Sequence, residues 1–429
     1  MSKNKMLGFA TNAIHAGATP DPVTGSVVTP IYQSAAYVFP SGKEAADRFA
    51  LKKFGQIYGR VTNPTQDVLE QRVTALEGGT ASLAVASGLA AQFIAFQTLL
   101  EPGDEFVSAK QLYGGTVTQF THTYKRFGWS VKWGDINDLS TFEKLITPKT
   151  KAIYADTIAN PDGRVVDLAG LSKIAKAAGL PLIIDNTVAT PYLCRPFEHG
   201  ADIVIHSLTK FLGGHGNSMG GIIVDGGSFD WTKSGRYPCL TAPRPEYNGL
   251  KFHEAFGNIA FAVACRGLGL QPLGPCISPF NAFQIITGIE TLPLRMEKHC
   301  SNALKVAEFL QKHAQVKWVS YAGLPGDKHH NLAKHYMPKG AGSVYTFGVK
   351  GGYEMGVKVV ANVKLFSHLA NIGDTRSLII HPASTTHSQL SDEHKIAAGA
   401  SPDTIRVSIG LEDVEDITAD LDQALMKAA

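Results

Sequence analysis

Residues 182–225 read LIIDNTVATPYLCRPFEHGADIVIHSLTKFLGGHGNSMGGIIVD. Three short runs inside them, LIID, DIVIHS and GGIIVD, have strand character, because Val and Ile dominate and Asp, Ser or Gly closes or flanks each one. The rhythm extends upstream. SLAVAS, DEFVSA, SVKWGD and KAIYAD read as further strands. Between the strands lie AAQFIAFQTLL, TVTQFTHTYKRF, DLSTFEKLI and DLAGLSKIAKAAG, with helical spacing and starts after Gly, Asp or Ser. Apolar strands alternating with helices predict crossover units and a mostly parallel sheet covered on both faces, so a large α/β domain is expected.

Downstream the pattern changes. Gly, Pro and aromatic residues punctuate about 226–280, which predicts long connections and short helices near an active-site mouth. From about 285 a long helical stretch, TLPLRMEKHCSNALKVAEFLQKH, leads into strands VKWVSY, SVYTFGVKG, RSLIIHPAS and TIRVSIGLE and a closing helix, EDITADLDQALMK. A smaller α+β domain follows from that order. The expected division is an N-terminal arm over 1–65, the α/β domain over 66–285 and the α+β domain over 286–429.

At 429 residues, 44% hydrophobic and 18% charged, the chain has enough apolar material for a large core, and a packed globular protein is expected. A net charge of +3, with the basic residues scattered, gives no reason to expect nucleic acid. Neither a secretory signal nor a membrane span is expected, because no apolar run is long enough. Cys194, Cys239, Cys265, Cys276 and Cys300 form an odd, widely spaced set without a C-x-x-C pair, which argues for a reducing cytoplasm over a disulfide framework. His15, His206, His215, His329 and His330 lack metal-ligand spacing, so no metal is expected.

In an open parallel sheet, ligands sit beyond the carboxyl ends of the strands. Asp185 ends LIID, where a carboxylate can pair with a protonated pyridine nitrogen. The next strand runs into Ser207-Leu208-Thr209-Lys210, followed by the pair Gly213-Gly214. A lysine just past a buried strand needs a reason, because lysines prefer solvent. Pyridoxal 5′-phosphate (PLP) supplies one: Lys210 as covalent anchor and proton carrier, its pKa lowered by burial, with Ser207 and Thr209 donating to the phosphate. Ser87-Gly88 opens a helix directly after a strand, which is an anion site as well as an ordinary cap. Tyr113 in QLYGGT can stack on a flat ring or be a plain turn tyrosine.

TPIYQSAAYVF, YGRVTNPT, ASGLAA, LYGGT, NPDG, DNTVATPY and above all ADIVIHSLTKFLGGHGNSMGG resemble the trans-sulfuration, or Cys/Met-metabolism, family of fold-type-I PLP enzymes, over essentially the whole chain. The resemblance implies a large mostly parallel sheet domain with a smaller C-terminal α+β domain. It implies Lys210 as the Schiff-base lysine, Asp185 on the pyridine nitrogen, and Tyr113 as stacking group and acid/base. Ser87, Gly88, Leu89, Ser207 and Thr209 would meet the phosphate. Tyr58 and Arg60, carried by the N-terminal arm, would reach the phosphate of a neighbouring subunit in a homotetramer of two active dimers. Arg406 would clamp the substrate carboxylate, with Asn160 and Ser384 helping to orient it or the cofactor. A free-standing arginine is more often a surface ion-pair residue; the motif context lowers that reading here.

Two departures stand out. Leu89 replaces the Met or Gln usual after Ser-Gly, which a backbone contact tolerates. HPASTTH, from His381 to His387, replaces the Gly-Gly-Val-Glu type of sequence of the cystathionine enzymes and tilts the expectation away from cystathionine. Length and the extended middle segment are similar to the sulfhydrylase branch. That implies γ-replacement, O-acetyl-L-homoserine plus sulfide giving L-homocysteine and acetate in methionine biosynthesis. Methionine γ-lyase, cystathionine γ-synthase and O-succinylhomoserine or O-acetylserine sulfhydrylase chemistry stay open, as does a catalytically inactive regulatory protein on the same fold.

Overall fold

Each apolar run of the first half becomes a strand. The computed structural model describes residues 7–386, 388 and 399–429; residues 1–6 and His387 of the HPASTTH stretch lie outside the described residues. The strands are β1 (Ala81–Val85), β2 (Glu105–Ala109), β3 (Ser130–Gly134), β4 (Thr150–Asp156), β5 (Leu182–Asp185), β6 (Ile203–Ser207) and β7 (Gly221–Asp225), in the order β1-β7-β6-β5-β4-β2-β3. Leu182, Ile183 and Ile184 of β5 and Ile203, Val204 and Ile205 of β6 are all fully buried. Alternate residues point to opposite faces, so burial of every one of them requires both faces to be covered.

The sheet is parallel except at β7, which runs antiparallel to both β6 and β1. Leu208–Gly220, which joins β6 to β7, contains no crossover helix, so the chain returns beside its own strand in the opposite direction. Because β1 is in turn antiparallel to β7, the carboxyl ends of β1, β2, β4, β5 and β6 all reach one edge. Polar residues that follow five separate strands are thereby gathered.

The second sheet has β8 (Val316–Ser320), β9 (Val344–Val349), β10 (Ser367–His368), β11 (Leu378–Ile380) and β12 (Thr404–Ser408), in the order β10-β11-β12-β9-β8. It is antiparallel except for the β10–β11 pair. Arg406 sits at its centre, opposite Ile380 on one side and Thr346 on the other. The two-residue strand β10 was not legible in the sequence, being too short to carry a period. The helix Pro279–Glu290 spans residue 285 and ends at Thr291, where the long helix Leu292–Lys312 begins.

The middle segment does form short helices, among them Pro238–Thr241, Phe252–Phe256 and Ala260–Ala264. Within its own chain the segment stands apart from the Lys210 cavity. Ile259, Ala262, Val263, Arg266 and Gln271 line a separate cavity of about 720 Å³, and no residue of 226–280 lines the cavity that holds Lys210. The cause is apolar packing. Ala260, Phe261, Ala264, Cys265 and Leu270 are fully buried, which draws the segment into the core beneath the helix Gly88–Leu99. Of the five free cysteines four are buried and one half-buried. Among the described residues no helix is long and apolar enough to cross a membrane.

Candidate active site

The strand ends build the site. Where β1 stops, Ser87 caps the helix Gly88–Leu99, its hydroxyl accepting from the Ala90 N–H at 3.1 Å. The next amides at such a terminus have no intrahelical acceptor and favour an anion. The turn can lie this close to β7 because residue 221 is glycine: a Cβ there would stand 2.0 Å from the Ser87 carbonyl oxygen.

Asp185 ends β5. One carboxylate oxygen accepts from the Thr187 N–H at 3.0 Å, and the other from the Gln92 amide and the Tyr154 hydroxyl, both at 3.3 Å. Gln92 also donates to the Tyr154 hydroxyl at 2.7 Å, so the two donors hold each other in place. Asp156, at the end of β4, is the strand-register partner of Asp185. Burial, and secondarily the Asp185 charge, hold the Asp156 carboxyl well above the usual carboxylate range.

Lys210 follows β6 in a tight turn closed by Gly213 N–H to Leu208 O at 2.9 Å and Gly214 N–H to Lys210 O at 2.7 Å. Arg295 clips the turn from below, donating to the carbonyls of Phe211, Leu212 and Gly288 at 2.7, 3.3 and 2.7 Å. The guanidinium fills the space a Cβ at Gly214 would occupy, 2.1 Å away, and Gly214 has φ +75°, so glycine is required twice over. Burial, and secondarily the nearby Arg406 charge, lower the Lys210 pKa to about 8. About one amine in ten is then neutral at pH 7, against fewer than about one in a thousand for a solvated lysine.

Arg406 projects from β12 toward the same space. It is 6% exposed, and burial lowers its pKa to about 10. Its partners among the described residues are neutral oxygens, the Asn371 carbonyl at 2.9 Å and the Asn160 side chain at 3.4 Å, while its Nε has none. A buried guanidinium without a counter-ion is a costly arrangement that an incoming carboxylate relieves.

Ser87, Gly88, Leu89, Tyr113, Asn160, Asp185, Ser207, Thr209, Lys210 and Arg406 therefore all line one cavity, of about 270 Å³. Tyr113 is 48% exposed at its rim. Two sets of expected residues lie elsewhere. Tyr58 and Arg60 line the larger cavity, with the guanidinium 5.5 Å from the tyrosine ring centroid. The Ser384 hydroxyl is paired with His381 at 2.9 Å and does not line the Lys210 cavity. Sequence reasoning passed over Asp156, Gln92, Tyr154, Arg295 and Asn371. Asp156 alone carried a signal, as a polar residue ending an apolar run like Asp185.

The donor set fits PLP: a partly neutralised lysine, a carboxylate held by fixed donors, a free helix N-terminus and a cationic clamp open on one space. The family described as "Cys/Met metabolism PLP-dependent enzyme" matches residues 10–426. The chain belongs to this family. Cys/Met-metabolism enzymes similar to it include the O-acetyl-L-homoserine sulfhydrylase of Leptospira meyeri, 52% identical over 97% of this chain and 96% of that protein. The homocysteine synthase of Schizosaccharomyces pombe is 47% identical over 97% of this chain and 98% of its own length. A crystal structure from Campylobacter jejuni, described as an O-acetylhomoserine (thiol)-lyase, superposes with a TM-score of 0.95 at 42% identity, covering 98% of this chain and all of that one. It carries pyridoxyl-lysine monophosphate. As a member of the family, the present chain is a PLP-dependent enzyme of α/β fold with a mixed seven-stranded sheet and a smaller second sheet.

Proposed function

We propose that the enzyme replaces the acetoxy group of O-acetyl-L-homoserine by sulfide, giving L-homocysteine and acetate for methionine biosynthesis. The observation that carries this reading is the buried Arg406, which has no carboxylate partner among the described residues and opens on the same cavity as Lys210 and Asp185. An α-amino acid needs that combination: a clamp for its carboxylate beside the group that handles its amine and Cα proton. Relatives named O-acetyl-L-homoserine sulfhydrylase or homocysteine synthase, matched over nearly their whole length, supply the reaction.

PLP held at Lys210 would supply an electron sink for the substrate Cα once the substrate amine has replaced the lysine on it. Asp185 accepts from the ring nitrogen, its own orientation set by Gln92, Tyr154 and Thr187. The amides of Gly88 and Leu89, the cap Ser87, and the hydroxyls of Ser207 and Thr209 take the phosphate. Arg406 holds the substrate carboxylate, with Asn160 beside it. Lys210, partly neutral through burial, removes the Cα proton and returns protons along the same face, its flexible stem reaching from Cα toward Cβ. Acetate leaves from Cγ and hydrosulfide adds there. Tyr113 stacks on the ring and assists proton transfer.

Tyr58 and Arg60 serve the phosphate of a neighbouring subunit, supported by their position away from their own chain's Lys210 cavity. The assembly is a homotetramer of two active dimers in the cytoplasm, with the chain divided as arm, α/β domain and α+β domain.

Product analysis of the PLP-loaded enzyme given O-acetylhomoserine, with and without sulfide, tests the reaction. Homocysteine that depends on sulfide supports it. Oxobutyrate and ammonia in both tubes would make the enzyme a lyase. Turnover confined to the succinyl ester, to O-acetylserine or to cystathionine formation would overturn the substrate, and inactivity on all of them the enzymatic reading itself.

A further inference from the structure

Asn371 lies in the loop between β10 and β11, where neither motif nor resemblance assigned a role. Its side-chain oxygen accepts a 2.5 Å hydrogen bond from the Lys210 ammonium, and its backbone carbonyl accepts from Arg406 at 2.9 Å. We propose that Asn371 is the docking residue for the Lys210 ammonium whenever that group is not attached to the cofactor, and that it couples the lysine to the substrate clamp. The proposal rests on the roles given to Lys210 and Arg406 above.

The loop is held in place for such a task. Ser408, two residues beyond Arg406 on the same strand, accepts from the Gly373 N–H at 3.0 Å. Gly373 has φ +74°, and a Cβ there would stand 2.7 Å from the Phe211 nitrogen, so the loop presses on the residue after Lys210. β12 thus grips the loop at Asn371 through Arg406 and at Gly373 through Ser408, and the lysine turn meets it from the other side.

A neutral amide suits the role. A carboxylate would form an ion pair that keeps Lys210 protonated, whereas an apolar side chain would leave the ammonium undocked in a cavity it shares with cationic Arg406. An amide oxygen orients the ammonium, takes no proton from it, and releases it at modest cost. The other charged or titratable groups facing Lys210 are Arg406 from β12, Asp185 from β5, Asp156 from β4 and Tyr113 from the loop after β2. Asn371 is therefore a positioning residue that acts through Lys210.

The test uses full-length Asn371→Asp and Asn371→Leu variants stripped of PLP, with PLP uptake followed by absorbance across pH. Uptake requires the neutral amine, so its profile reports the Lys210 titration without turnover. The expected result is opposite displacement, upward by about one pH unit or more for the Asp variant and downward for the Leu variant. Profiles superimposable on the parent's, or displaced in the same direction, would overturn the proposal. Failure of the parent itself to take up PLP would instead sink the assignment of Lys210. Asn371→Asp is isosteric and keeps the carbonyl contact with Arg406, so its arm decides the matter if the Leu variant does not fold.

Discussion

Asp156 and Asp185 are register partners at the carboxyl ends of adjacent parallel strands, and both line the cavity that contains Lys210. Two carboxyls so close in a poorly solvated space do not both ionise readily, and Asp156 is the one pushed well above its ordinary range. Its folded pKa is raised, so the folded protein retains a proton that the unfolded chain gives up at about pH 4. Stability contributed by Asp156 is therefore lost as pH rises above about 4 toward its folded pKa. Asp156→Asn, which imitates the protonated form, is expected to melt higher than the parent, with a margin that grows from acid toward neutral pH. Melting curves across pH check this, and a margin independent of pH would show that Asp156 is not held protonated.

Lys210 carries the opposite prediction for stability and function. Lys210→Met removes an ammonium that burial destabilises, so the cofactor-free protein should gain about 1–2 kcal/mol at neutral pH after allowance for its partial exposure. Its folded pKa is depressed, so the folded state binds fewer protons between about 8 and 10.5, and the gain disappears as pH rises through that window. Turnover and the covalent cofactor absorption band should both vanish. Retention of either one would remove Lys210 from the mechanism.

Arg406→Ala deletes a charge-assisted, geometrically matched contact and should lower kcat/KM by about 100-fold, mostly through KM. Arg406→Lys should recover little of it, because one ammonium cannot reproduce the planar fork that also meets Asn160 and Asn371. Steady-state kinetics with the amino-acid substrate decide the matter. An unchanged KM would move the carboxylate clamp elsewhere.

The location of Tyr58 and Arg60 outside their own chain's Lys210 cavity predicts complementation. Arg60→Ala and Lys210→Ala homo-oligomers should each be impaired. Mixed and reassembled, they should recover activity, because a hybrid dimer contains one site with both residues intact. No recovery on mixing, with hybrids confirmed by mass spectrometry, would place Arg60 in service of its own subunit.

Tyr113→Phe separates the two tasks given to that ring. The ring is unchanged, so PLP binding should persist, while loss of the hydroxyl should lower kcat by about 10-fold to 100-fold. Undiminished turnover would leave stacking alone.

The sequence by itself determined the strand–helix alternation, because apolar runs closed by polar residues have few other ways to bury both faces. Asp185 and Lys210 were legible for the same reason, the first closing such a run and the second standing three residues beyond one. What the chain could not show locally is which distant segments share the cavity. Gln92 and Tyr154 steer Asp185 across 93 and 31 positions of sequence, and Asn371 reaches Lys210 across 161. Neither the two-residue strand β10 nor the loop after it has a period to read. Arg295 looks in sequence like any cation on an amphipathic helix, yet it clips the lysine turn from within the core. The Gln92 and Tyr154 contacts follow from packing the helix Gly88–Leu99 on β4 and β5, the Arg295 contacts from packing the helix Leu292–Lys312 against the lysine turn, and the Asn371 contact from bringing the second sheet to the first; all depend on distances in space, which local sequence pattern does not encode.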